Sequence, residues 1–149
     1  MTTPALQFDY FNAEWAAKAM ERAPTKGIDA FLGIGIESFT AGRLVAGFDV
    51  REELITMIGN MHGGCISGLV DHCLGVVMYP IMAPGSWAAT TEFKINLLAP
   101  VSKGRVTCTA EVCSMSRRLA VIRIEVVNEG RVVALAQGTS TIVAPKASS

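Results

Sequence analysis

Gly59-Asn60-Met61-His62-Gly63-Gly64-Cys65-Ile66-Ser67-Gly68-Leu69-Val70-Asp71-His72-Cys73-Leu74-Gly75 is the stretch that decides how the remaining residues are arranged. It opens as a turn and becomes a helix. From Ile66 the apolar residues fall at Ile66, Leu69, Val70, Cys73, Leu74, Val77 and Met78, the i, i+3, i+4, i+7 spacing of a buried helix face. Pro80 and Pro84 stop it. Gly64, Gly68 and Gly75 stand inside this helix although each costs about 1 kcal/mol against Ala, so something is expected to approach its backbone closely. Asp71 is a charge on an otherwise apolar, small-residue segment, and needs a partner or a task.

Beyond Pro84-Gly85 the hydrophobic period changes from helical to two. Trp87, Ala89, Phe93, Ile95 and Leu97 share one face of a strand, while Thr90, Glu92, Lys94 and Asn96 take the other, and Pro100 closes it. Val106, Cys108, Ala110 and Val112 mark the inward side of the next strand. Ala120, Ile122, Ile124 and Val126 mark that of a third. Asn128-Glu129-Gly130-Arg131 supplies a hairpin turn, and Val132 to Val143 returns as the last strand.

Before the helix, Ile34–Phe39 and Leu44–Val50 read as two strands joined through Thr40-Ala41-Gly42-Arg43. Arg51 to Asn60 is a loop or short helical turn. Residues 9–23 read as an amphipathic helix with Phe8, Phe11, Trp15, Ala19 and Met20 on one side, ended by Pro24 and Gly27. It either packs on the domain or lids a cleft. Consecutive strands with short connections favour one antiparallel sheet, and an apolar helix must be covered by it. The expected architecture is α+β: a single domain over 1–149, its core at about 32–143, with a frayed tail at 145–149.

The chain of 149 residues is half hydrophobic and only 17% charged, with net charge zero. Charge cannot cover such a surface, so burial between subunits is expected. Neutrality removes the electrostatic case for nucleic acid or an anionic membrane. No apolar run approaches the ~20 residues of a membrane span, and Met1-Thr2-Thr3-Pro4 lacks the basic start of a signal peptide. Cys65, Cys73, Cys108 and Cys113 show no metal-ligand spacing. A cytoplasmic protein with reduced thiols is expected.

The central stretch resembles the acyl-CoA thioesterases of the phenylacetate-degradation, PaaI-like branch of the hotdog fold. The resemblance rests on Gly59, His62-Gly63-Gly64, Leu69, Asp71 and the strand Thr90-Thr91-Glu92-Phe93-Lys94-Ile95-Asn96-Leu97-Leu98-Ala99-Pro100. It covers about Leu32 to Val143. It implies an antiparallel sheet wrapped around one long central helix, with active sites between subunits whose sheets join edge to edge. Relatives often carry an Asn or Gln six residues before the His; here that position is Thr56, which reaches less far and offers no amide N–H.

Thioester hydrolysis places negative charge on the carbonyl oxygen, and donors aimed at it contribute about 3–4 kcal/mol each. A helix N-terminus offers free N–H groups and a positive dipole end. Gly63 and Gly64 stand there, as an oxyanion site or simply as a tight turn. Asp71 is the candidate general base or nucleophile, against a role in a structural hydrogen-bond network. Thr90, and less so Thr91, match the Ser or Thr with which relatives hold the catalytic water; ordinary strand propensity also explains them. His62 is a base, a donor to substrate, or a cap on the turn. His72 lies about 100° from Asp71 around the helix and is no catalytic partner. Met57, Met61, Val77, Met78 and Ile81 would wall an acyl pocket, with Asn60 nearby. Arg117 and Arg118 suit the phosphates of coenzyme A, with Lys94 and Lys103 as weaker choices. Neither a metal site nor a cofactor beyond the CoA of the substrate is expected.

Gly63 and Asp71 are eight residues apart, roughly 12 Å along a helix, so one carbonyl cannot touch both in a single copy. If both act on one substrate they come from two copies of the helix, so an obligate homodimer is expected, and a dimer of dimers is the expected assembly. The expected function is acyl-CoA hydrolysis. The rival is a non-catalytic acyl-CoA-binding module, and a hydratase of the same fold comes third.

Overall fold

The computed structural model describes residues 6–145. The elements run α1 (Ala13–Glu21), α2 (Gly27–Leu32), β1 (Gly35–Thr40), β2 (Arg43–Asp49), a 3-10 turn (Glu52–Leu54), α3 (Gly63–Val76), a second 3-10 turn (Tyr79–Ile81), β3 (Trp87–Leu97), β4 (Arg105–Met115), β5 (Leu119–Asn128) and β6 (Arg131–Val143). The six strands form one antiparallel sheet in the order β1-β2-β4-β5-β6-β3. β3, although fourth from last in sequence, therefore lies at an open edge beyond β6. This is the hotdog fold: a sheet wrapped around one central helix, with helices from the N-terminal segment beside it. The expected tail beyond Pro145 lies outside the described residues.

The helix buries Ile66, Leu69, Val70, Cys73 and Leu74, with Val77 and Met78 behind it, as the 3.6-residue period requires. Opposite them stand Val106, Cys108 and Ala110 of β4 and Ala120, Ile122, Ile124 and Val126 of β5, all 1% exposed or less. Gly138 of β6 sets the spacing between helix and sheet. A Cβ there would lie 2.8 Å from the Glu92 carbonyl oxygen and 2.9 Å from Leu74 Cδ1, so only Gly lets α3 sit so close. Two positions on, the fully buried Ser140 donates through Oγ to the Leu74 carbonyl at 3.1 Å, satisfying its hydroxyl on the helix itself. Gly63–Ile81 is long and apolar enough to cross a membrane by length and composition, contrary to the reading of the sequence, but half of it is buried in this core.

Three further expectations are corrected. The N-terminal helix begins at Ala13, because Asn12 caps it by accepting from the Trp15 N–H at 2.9 Å. Its buried residue is Ala16, while Phe11, Trp15 and Met20 stay more than a third exposed. A second helix, α2, follows within the segment read as a terminator. It packs on α3 where Gly68 leaves room: a Cβ there would lie 3.2 Å from Leu32 Cδ1 and 3.4 Å from Ile28 Cδ1. Arg51 fixes α2 from the other side, stacking over Phe31 at 5.0 Å and donating to the Phe31 and Leu32 carbonyls. Finally, β3 carries a bulge between Thr90 and Glu92 in its register with β6. The bulge reverses the phase of the strand. Ala88, not Ala89, packs against the core, and Thr90 turns toward α3.

Candidate active site

α3 begins at Gly63, after the turn that His62 caps. His62 is the N-cap, with extended φ −62° and ψ 133°. Its Nδ1 accepts from the Gly64 N–H at 2.8 Å, so that ring nitrogen is unprotonated and the proton sits on Nε2. Its carbonyl accepts from the Cys65 N–H at 2.9 Å. The Gly64 and Cys65 amides are thus occupied. Among the described residues, the Gly63 N–H has no acceptor, which narrows the expected two-glycine donor site to one amide.

That amide borders a cleft of about 430 Å³ lined by Thr56, Asn60, Met61, Ile66 and the Leu97–Val101 segment. Thr56 donates through Oγ1 to the Asn60 carbonyl at 2.8 Å, and its own N–H reaches the same oxygen. With its one hydroxyl proton so engaged, Thr56 can only accept from a ligand. Asn60 stands in the same cleft. Met57, 105% exposed, extends from the turn into solvent and is not part of the Gly63 cleft, while Val77 and Met78 are fully buried core. The five residues expected to wall one acyl pocket are therefore dispersed: Met61 at the Gly63 cleft and Ile81 at a different one, beside Arg117.

Asp71 opens into a separate cleft of similar size, with Gly68, Gly75, Tyr79, Ala88 and Thr90 around it. The carboxylate is exposed, and among the described residues it makes no hydrogen bond or ion pair. A structural network around Asp71 is absent there. Thr90 stands in this cleft because of the bulge, whereas the Thr91 hydroxyl is hydrogen-bonded to Thr141 on the outer face of the sheet. Sequence reasoning missed Tyr79, eight residues beyond Asp71 and stacked on Trp15 with centroids 5.4 Å apart. It also missed Asp29, whose Oδ2 lies 3.1 Å from His72 Nδ1; no local spacing links α2 to α3. Arg117 and Arg118 sit in the exposed β4–β5 turn and border neither the Gly63 nor the Asp71 cleft of their own protomer.

One helix thus borders two clefts, with a free amide at one and, among the described residues, an unpaired carboxylate at the other. Residues 58–135 match the family model described as the Thioesterase superfamily, more than half of the chain. The chain belongs to that superfamily. Its PaaI-like hotdog character agrees with the phenylacetic acid degradation operon protein PaaI of E. coli, 27% identical, with a TM-score of 0.78 over 89% of this chain and 94% of that one. Two candidate esterases of Saccharolobus solfataricus are also similar. SSO2140 is 30% identical over 87% of this chain and 94% of its own length. SSO1253 is 32% identical over 63% of this chain, and the match spans 62% of that relative, less than two thirds. Membership in the Thioesterase superfamily supports thioester hydrolysis as the general chemistry.

Proposed function

We propose that the protein hydrolyses acyl-CoA thioesters to the free acid and CoA, in a site assembled from two copies of the chain. The observation that supports this lies along β3. Gly63 sits at the Leu97 end of that strand, where a Cβ on it would be 2.6 Å from Leu97 Cδ1. The Asp71 cleft sits at the other end, against Ala88 and Thr90. From Thr90 to Leu97 is roughly 23 Å of extended chain. β3 is an open edge 11 residues long, with Trp87, Leu97 and Leu98 about half exposed. Such an edge calls for a covering partner. Antiparallel pairing of β3 with β3 about a two-fold axis lays the Leu97 end of one copy beside the Thr90 end of the other. The Gly63 amide of one copy then faces the Asp71 carboxylate of the second.

In that site the Gly63 N–H and the helix dipole hold the carbonyl oxygen as it gains charge. Asp71 removes a proton from water, or attacks the carbonyl itself, and Thr90 holds the water. The Arg117–Arg118 turn, near the Trp87 end of β3, would pair with the CoA phosphates through its guanidinium groups. The acyl group, a medium chain or an aryl acid, enters between Met61, Ile66 and the second copy. No cofactor is needed beyond the CoA carried by the substrate.

One observation favours the rival, a non-catalytic acyl-CoA binder: the Thr56 hydroxyl, where relatives carry an amide, is committed to Asn60. Release of free CoA from a panel of aryl and medium-chain acyl-CoAs separates the two. Turnover that falls at least a hundredfold in Asp71→Asn supports hydrolysis by this site. Equal rates in both proteins reject Asp71, and micromolar binding without turnover supports the binder.

A further inference from the structure

A further cleft, of about 600 Å³, lies beside the Asp71 cleft on the other side of His72 and Val76, between α1, the 22–26 connection, the start of β1 and α3. Its floor is apolar: Trp15, Ala19, Ile34, Ile36 and Val76. Its rim carries Lys18, Arg22 and Lys26, and no carboxylate is among the residues lining it. Lys18 is engaged with Glu14 at 2.6 Å. Among the described residues, Arg22 and Lys26 pair with no acid. The acids nearest in sequence are otherwise occupied or on another face: Asp29 holds His72 at the back of the cleft, and Glu21 is not part of its wall. In a chain of zero net charge, this concentration of unpaired cations over an apolar floor is a local feature.

We infer that this cleft binds an amphiphilic monocarboxylate, its apolar body on the Trp15–Ile36 floor and its head between Arg22 and Lys26. The volume falls within the ~300–1,000 Å³ of small-molecule sites. Charge complementarity fixes the sign of the head, since two unpaired cations favour an anion and disfavour a neutral head of the same length. His72 and Val76 are shared with the wall of the Asp71 cleft, so an occupant would lie directly behind the catalytic face of α3. Thioester hydrolysis releases an acid of this class. That link rests on the proposed function, whereas the binding itself does not.

Trp15 reports on the site, because Trp87 is the only other tryptophan. In a Trp87→Phe background, titration with decanoate should change the Trp15 fluorescence saturably. Decanol, and decanoate with an Arg22→Gln/Lys26→Gln variant of unchanged circular dichroism, should bind at least tenfold more weakly. Asp71→Asn should bind decanoate as the parent does. Decanol binding as tightly as decanoate, an unaffected double variant, or no saturable signal each overturn the site. Normal decanoate binding in a protein that hydrolyses no acyl-CoA would remove the proposed function and leave this site standing.

Discussion

Gly63 and Asp71 share one helix, eight residues apart, and open into two different clefts of the same protomer. On the proposed function, the free amide and the free carboxylate are each half of a site. If a two-fold axis joins the halves, damage to one half in one copy can be complemented by damage to the other half in its partner. Gly63→Pro and Asp71→Asn homodimers should each be inactive. Subunits mixed in equal amounts and allowed to exchange should recover roughly a quarter of wild-type activity, since half the dimers are mixed and each holds one intact site. Recovery absent despite mixed dimers seen by native mass spectrometry would rule out the shared site.

Gly63→Pro is a clean way to delete the amide. Proline is favoured at the first helical position, and the residue before it, His62, already has the extended φ and ψ that proline demands. The ring displaces the Leu97 side chain, which is half exposed and free to turn. The variant should fold, with kcat reduced about a hundredfold or more. Gly63→Ala brings the same Cβ but keeps the N–H, and should recover most of that loss. Equal kcat values for the two variants would show that bulk, not the amide, matters.

His62 holds the Gly64 N–H through Nδ1. Its replacement by Ala leaves the helix without an N-cap and should cost about 1 kcal/mol in denaturant unfolding. Asn, whose side-chain oxygen can take the same hydrogen, should restore most of it. A His62→Ala protein as stable as the parent would mean that water replaces the cap at no cost.

The long-period features of this fold were legible in the sequence because they repeat. The α3 face from Ile66 to Met78 and the alternation from Val106 to Val126 are both found where the pattern puts them. The turn at Glu129-Gly130 is legible too: φ of 48° and 78° at its two central residues match the primed turn that Asn-X-Gly-X between strands favours. What failed were features of one residue or of long range. The bulge at Thr91 leaves no mark in a string of Thr and Ala, yet it decides which threonine faces Asp71. α2 is too short for a period to show. The clefts themselves depend on β3 crossing to the far edge of the sheet, which no local spacing encodes. The Gly63–Asp71 separation could be computed from the sequence, since it needs only the rise of a helix.

Glu111 links three strands on the outer face of the sheet. It pairs with Arg123 of β5 at 2.7 Å and Arg43 of β2 at 3.4 Å. The hydrogen-bonded Arg123 guanidinium lowers its pKa first of all; partial burial opposes this, and Arg43 adds to it. A carboxylate depressed in the folded state stabilises fully above its unfolded pKa of about 4.3, and that stability is lost as pH falls through the folded value. The stability difference between the parent and Glu111→Gln should therefore be constant at neutral pH and shrink as the pH falls below the unfolded value and through the lowered folded one. These groups are largely solvated, so its plateau belongs to the few tenths to 1 kcal/mol of exposed pairs. A difference that grows on acidification would contradict the assignment.

Gly75 separates helix propensity from function. Unlike Gly68, which α2 covers, a Cβ at Gly75 meets nothing within 4 Å in the protomer. In a helix interior the change to Ala should raise stability by about 0.5–1 kcal/mol. The residue nonetheless lines the Asp71 cleft, where an added methyl occupies space that an incoming thioester needs. Gly75→Ala should therefore melt at a higher temperature and hydrolyse acyl-CoA with a lower kcat/KM. If both stability and activity rise, the thioester does not pass over Gly75. If stability falls, the space beside Gly75 is already filled by a second copy of the chain, which would place the dimer contact over the cleft mouth and not along β3.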